Sequence, residues 1–226
     1  MIIIINPCSA SKDDSVPIPA GSRVVQPSYY LDDEGLISNL QNIRKNVLQN
    51  PRACVGSRET YAFDLYSLAG NVYKAIRDSG KQQRIKSMLI SDSEIECFFL
   101  SGGYGIIHAL EAAKKYQATF SRGIAYQKKI LYTTDLWENS LTSICDAIIF
   151  KFQPEWAYVF GSQDYTGFIK RTNFWKTKNN VKIFESTGSS GPYWLAPKLN
   201  ELVGAIFDDC LGKFNEKYPK FVKQLS

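Results

Sequence analysis

The chain has 226 residues, 44% hydrophobic and 22% charged, with a formal net charge of +5. That is enough chain to bury a core, and the composition is too ordinary for collagen-like, disordered or coiled-coil classes. A single histidine excludes multi-histidine metal sites, and five cysteines spaced 43 or more residues apart exclude CxxC knuckles and redox motifs.

Residues 2–5 are a β-branched run that reads as a buried strand, stopped by Asn6-Pro7 because proline cannot extend the ladder. The run has no basic segment before it, so it does not read as a signal peptide. No apolar stretch approaches the roughly 20 residues of a membrane span. The expectation is a cytoplasmic protein that meets no membrane. Residues 7–30 hold four prolines and read as a long irregular segment of the kind that carries function. Residues 31–49 open with Asp32-Asp33-Glu34 and continue with helical spacing, and residues 59–78 repeat that period.

Residues 95–100 form a second apolar strand, running into Ser101-Gly102-Gly103-Tyr104-Gly105 and then a short helix over 106–115. A helix is predicted over 137–152 and a third strand over 156–160, ending at Gly161-Ser162. A fourth strand, 181–184, leads into a turn over 186–192, and a C-terminal helix occupies about 192–220. Strands alternating with helices argue for a single α/β domain over 1–226, with a mainly parallel central sheet flanked by helices. The polar loops 6–12, 101–105, 161–164 and 186–191 each follow a strand. At the carboxyl ends of a parallel sheet they are expected to form one cleft.

Charge is uneven. Residues 1–69 carry six Lys/Arg against seven Asp/Glu, whereas residues 70–226 carry twenty-one against fifteen. Such a field attracts a polyanion, although solvated helix faces account for it equally well. The first loop, Asn6 to Lys12, offers an amide, a thiol, two hydroxyls and an ammonium, suited to a phosphate or a base edge. It lacks the glycine spacing of a P-loop. Cys8 reads as a small turn residue, since the only base for a thiol is the distant His108. Ser101, Gly102 and Tyr104 read either as a tight corner with a tyrosine plug or as close backbone approach to a ligand. Ser162 and Asp164 read either as helix caps or, with Tyr165, as a carboxylate placed beside a sugar. Glu111 and Tyr116 make a second carboxylate–aromatic pair.

Three segments in order resemble the YaaA peroxide-stress family: Met1 to Pro7 with Lys12 and Val16-Pro-Ile-Pro19; Leu100 to Ile107 with Glu111 and Tyr116; and Gly161 to Tyr165 with Lys170. The likeness covers about residues 1–190, taken as the family-like core. The chain departs from the family at Cys8 to Lys12, at Lys115 in place of a proline, at Asp164 in place of a glutamate, and at residues 186–194. There a basic stretch gives way to Ser186–Pro192 followed by Tyr193-Trp194. The resemblance implies a cytoplasmic DNA-binding protein, with more distant likeness to base-excising enzymes, some of them tied to phage defence.

Combined with the residues, this leads to an expected DNA glycosylase-like enzyme acting on a modified or damaged base. Asp164 and Asn6 are expected to carry the chemistry. Asp164 stabilises the sugar or orients water, and Asn6, Ser9 and Lys12 hydrogen-bond the base edge. Pro7, Cys8, Ser11, Ser101, Gly102, Tyr104, Tyr116, Ser162, Tyr165 and Trp194 are expected to complete a nucleotide pocket. Lys114, Lys115, Arg122, Lys128, Lys170 and Arg171 are expected to meet DNA phosphates. No metal, no cofactor and no obligate protein partner is expected. Two alternatives stay open: a non-catalytic DNA-binding stress protein, and a nucleoside or nucleotide hydrolase or transferase.

Overall fold

The computed structural model describes residues 1–91, 94–188 and 190–224. The four strands expected from apolar runs are present, each one or two residues longer than the run: β1 (Ile2–Pro7), β3 (Ile95–Ser101), β8 (Trp156–Ser162) and β9 (Val181–Ser186). Between and beyond them lie β2 (Glu59–Tyr61), β4 (Gly105–His108), β5 (Ala112–Lys114), β6 (Ala118–Thr119), β7 (Leu131–Tyr132) and β10 (Phe221–Lys223).

The main sheet has six strands in the order β10-β9-β8-β1-β3-β4. All its pairings are parallel except β3 with β4. The fold is therefore α/β, with a mixed but mostly parallel sheet flanked by helices. Strand β1 is central, with Ile5 registered against Phe98 of β3 and Val159 of β8. Ile3, Ile4 and Ile5 are fully or almost fully buried, as parallel strands covered on both faces require. On one face, Ile4, Asn6, Cys97 and Phe99 pack under Phe63, Tyr73, Leu199 and Val203. On the other, Phe98 meets Tyr30 and Phe152. Among the described residues no helix is long and apolar enough to cross a membrane.

Several expectations are corrected. The helix read from residue 31 starts at Glu34, because the Asp33 carboxylate accepts from the Leu36 amide at 2.9 Å and caps it. The helix expected over 59–78 is β2, then helix Ala62–Ser67, a 3-10 turn Asn71–Tyr73 and helix Lys74–Asp78. Arg77 bridges the break, donating to the carbonyls of Ser67 and Gly70, each at 2.7 Å.

The short helix expected over 106–115 is instead β4, a turn and β5. Gly105, at φ +70°, turns the chain back along β3, and Glu111 closes the next turn by accepting from the His108 amide at 2.8 Å. The 137–152 helix begins at Leu141, after a one-turn helix Thr134–Trp137. The C-terminal segment is two helices, Gly191–Phe207 and Leu211–Lys217, followed by β10 at the sheet edge.

Candidate functional site

Leaving β1, the chain runs through a long helical connection, from helix Pro27–Tyr30 to helix Lys81–Ile90, before returning as β3 on one side of β1, whereas β8 lies on the other side. The carboxyl ends of β1 and β8 therefore flank the point where strand order reverses, which is where open α/β sheets leave a crevice. A cavity of about 470 Å³ opens there. Pro7, Cys8, Ser9, Ala10 and Lys12 line it after β1, Ser162 and Tyr165 after β8, and Ser186 and Gly188 after β9. The far wall is Tyr116 to Thr119, and Ile124, Lys128 and Ile130 form a rim on and just after helix Arg122–Lys128. Val72, Pro192 and Leu195 complete the wall. Ser189, part of the expected 186–191 loop, lies outside the described residues.

The wall is rigidly supported. The Cys8 amide donates to the Leu100 carbonyl at 2.7 Å, carrying β1 pairing one residue past Pro7. The Tyr73 hydroxyl donates to the Pro7 carbonyl at 2.5 Å. Behind the cavity, the Tyr116 hydroxyl stands 2.6 Å from Ser101 Oγ and 3.0 Å from the Tyr66 hydroxyl. Burial pushes the hydroxyls of Tyr66, Tyr116 and Tyr165 well above their ordinary pKa, so these groups stay neutral. Cys8 Sγ is 3.5 Å from the Tyr165 hydroxyl.

Lys12 is half-buried, with Nζ 4.2 Å from the centroid of the Tyr116 ring. Among the described residues it has no carboxylate partner, and the cavity lining holds no Asp or Glu. Burial drives the Lys12 pKa down and Lys128 adds to the effect, while Cys8 opposes it.

Of the residues expected to bind a nucleotide or its phosphates, Pro7, Cys8, Ser9, Lys12, Tyr116, Ser162, Tyr165 and Lys128 come together at this cavity, whereas neither residue expected to carry the chemistry does. Asn6 does not. Strand alternation turns its side chain under the helices, where Nδ2 is 3.6 Å from Cys97 Sγ and Oδ1 has no partner. Asp164 is exposed on the first turn of helix Gln163–Lys170 and is absent from the lining. Ser11 is exposed and is not part of the lining, and Trp194 packs against the core under Lys198, whose Nζ is 3.8 Å from its ring centroid.

Ser101, Gly102 and Tyr104 lie one layer behind the cavity. A Cβ on Gly102 would stand 2.5 Å from the Thr119 nitrogen, and one on Gly103 would stand 2.6 Å from the Tyr116 ring. The glycine run thus lets the cavity wall close on β3, and Tyr104 packs edge-on against Tyr116. Four of the six expected phosphate-binding residues are engaged elsewhere. Lys115 pairs with Asp14 at 2.8 Å, Lys114 with Glu59 at 3.6 Å, Arg171 with Glu138 at 3.9 Å, and Lys170 with the buried Glu185.

Sequence reasoning placed Arg122 and Lys128 at the site but missed Gln117–Thr119 and the apolar rim residues Ile124 and Ile130, which carry no motif beyond an acid-free stretch from Ala112 to Thr134. His108 is structural, with Nε2 2.6 Å from Glu96 and Nδ1 accepting from the Leu110 amide at 3.1 Å. A larger cavity of about 760 Å³ opens at the amino ends of β8 and β9; its wall mixes apolar residues such as Ile149, Phe150 and Phe174 with polar ones such as Asp146, Asn173 and Lys178, and it holds none of the strand-end loops. Among the described residues no cluster of His, Cys, Asp or Glu could hold a metal ion. Compared with protein-family models, curated proteins and solved structures, the chain has no significant match.

Proposed function

We propose that this protein is a DNA glycosylase-like enzyme that draws one modified or damaged nucleotide into the strand-end cavity and breaks its N-glycosidic bond. The supporting observation is the cavity itself. Its volume, about 470 Å³, falls within the range of small-molecule sites, and hydroxyls, an amine and tyrosines converge in it at the switch point of the sheet. An enzyme acting on a base must take it out of the stack and hold it by edge contacts and apolar walls. Ser9 and Ser162 supply hydroxyls, Ile124, Ile130 and Leu195 supply apolar wall, and Lys128 supplies positive charge at the rim. The rim helix Arg122–Lys128 and the adjoining Lys129 carry three basic residues and no acid toward flanking phosphates. In this reading the four strand-end loops serve one cleft, with Ser101–Gly105 supporting it from behind.

The ion pairing of Lys114, Lys115, Lys170 and Arg171 favours a second reading, a nucleoside or nucleotide hydrolase using the same cavity. One experiment separates the two. The protein is incubated with genomic DNAs carrying different base modifications and, in parallel, with free nucleosides and nucleotides, and released bases are scored by mass spectrometry. Release from one DNA type is the expected result and names the substrate. Release only from free nucleosides or nucleotides transfers the assignment to the second reading. No release from any substrate overturns both.

A further inference from the structure

The cavity has a chemical peculiarity. Its lining holds hydroxyls, a thiol, tyrosines and two lysines, but no carboxylate to activate water or shield a sugar cation. Lys12 is the side chain there best suited to attack carbon. Lys86, Lys114, Lys115, Lys151, Lys170 and Lys217 are each held by an acid, whereas neither lysine of the lining has one among the described residues; of the two, Lys128 is exposed and Lys12 half-buried. Its Nζ rests against the face of Tyr116, a ring locked by Ser101 and Tyr66 behind it. Burial lowers the pKa of this amine, with Cys8 opposing and Lys128 adding to the effect, so it spends more time than a solvated lysine as the free base, the form that attacks carbon.

Resting on the glycosylase reading, we infer that Lys12 Nζ is the nucleophile at the sugar C1′ and forms an imine with the abasic sugar. The step balances without a co-reactant. The free amine forms the N–C1′ bond as the C1′–base bond breaks, and the electron pair leaves with the base together with one amine proton. The C1′–O4′ bond then opens, O4′ takes the second amine proton, and C1′=N remains. Water hydrolyses the imine to the aldehyde and returns the amine.

The experiment uses the full chain and two probes, the modified-DNA panel and an oligonucleotide carrying a preformed abasic site, each with and without sodium borohydride. Borohydride delivers hydride to C1′ of an imine and fixes it as a secondary amine, located by peptide mass spectrometry. The expected result is one dominant adduct, on Lys12, falling at least tenfold in both Lys12→Gln and Lys12→Arg. Because the adduct is mapped in the unaltered protein, the test stands even where a variant folds poorly. Base release without an adduct at Lys12, or adducts spread over exposed lysines, overturns the inference and leaves the glycosylase reading intact. A Lys12 adduct with the abasic probe but no release from any DNA keeps Lys12 as an imine-forming amine and removes the glycosylase reading. Neither release nor adduct overturns both.

Discussion

Arg44 is buried on helix Glu34–Gln49 and reaches the turn that follows β4. Nη1 is 2.7 Å from Glu111 Oε2, Nε donates to the Tyr104 carbonyl at 2.9 Å, and Nη2 donates to the Ile106 carbonyl at 2.5 Å and to the Tyr30 hydroxyl at 3.1 Å. Arg44→Met leaves the Glu111 carboxylate buried, with only the Tyr30 hydroxyl and the His108 amide as donors. Removing one member of a buried pair costs about 3–5 kcal/mol, and the two carbonyls that lose a donor add about 1 kcal/mol. For a chain of this length, a loss of about 4–6 kcal/mol lowers Tm by roughly 10–20 °C.

Guanidinium denaturation followed by tryptophan fluorescence reads the loss, because Trp137 is buried with its indole N–H 3.2 Å from the Gly102 carbonyl. The double variant Arg44→Met/Glu111→Gln keeps an acceptor for Tyr30 and His108 while removing the stranded charge, so it is expected to recover at least half of the loss. A cost below about 1 kcal/mol for the single variant, or a double variant no better than the single, refutes the reasoning.

Three further outcomes follow from the same geometry. Lys12 is held below its ordinary pKa of 10.5 by burial, with Cys8, Tyr116 and Lys128 facing it. Between the folded and unfolded values the unfolded chain binds the extra proton, so stability rises with pH in that window and the cost is fully present below it. Lys12→Met is therefore expected to raise Tm at pH 7, the advantage shrinking as pH climbs toward 10.5; a lower Tm at pH 7 contradicts this. Asn6→Leu removes a buried carbonyl oxygen that has no partner among the described residues and is expected to gain about 1 kcal/mol in denaturant titration without abolishing the proposed base release. Gly102→Ala drives a methyl onto the Thr119 backbone, 2.5 Å from its nitrogen. It should cost about 1–3 kcal/mol and weaken the proposed nucleotide binding, measured by calorimetry, because Ala118 and Thr119 are cavity wall.

The strands were legible because continuous apolar runs such as Ile2–Ile5 have few places to go except a sheet covered on both faces. The loop after β1 and the Ser162–Tyr165 turn were legible for a related reason: polar residues that follow a buried parallel strand emerge at its carboxyl end. Residues 106–115 misled because helix and strand are separated there by tertiary contacts. Arg44, seventy residues before Lys114, supplies the charge that holds the Glu111 turn, and Glu96 holds His108. Asn6 misled because adjacent strand residues point to opposite faces, so Pro7 reaches the cavity wall and Asn6 does not. The glycines of 102–105 were visible, but their purpose was not, since the groups they admit, Tyr116, Thr119 and Trp137, are distant in sequence or in another element.

Charge was the least legible feature, and it carries a quantitative consequence for the proposed DNA binding. Six basic residues counted as phosphate contacts predict a slope of log K against log salt near −5, at about −0.9 per phosphate on duplex DNA. With Lys114, Lys115, Lys170 and Arg171 in ion pairs, Arg122, Lys128 and Lys129, on or beside one short helix at the cavity rim, are candidates with no ion pair among the described residues. Three contacts give a slope of about −2 to −3. Fluorescence anisotropy of a labelled duplex across a salt series measures it. Arg122→Gln is expected to flatten the slope by about 0.9, while Lys115→Gln, which removes a cation already neutralised by Asp14, leaves it unchanged. A slope near −5 that Lys115→Gln flattens shows instead that the surface pairs open to meet phosphates. The grip on DNA then extends well beyond the rim helix.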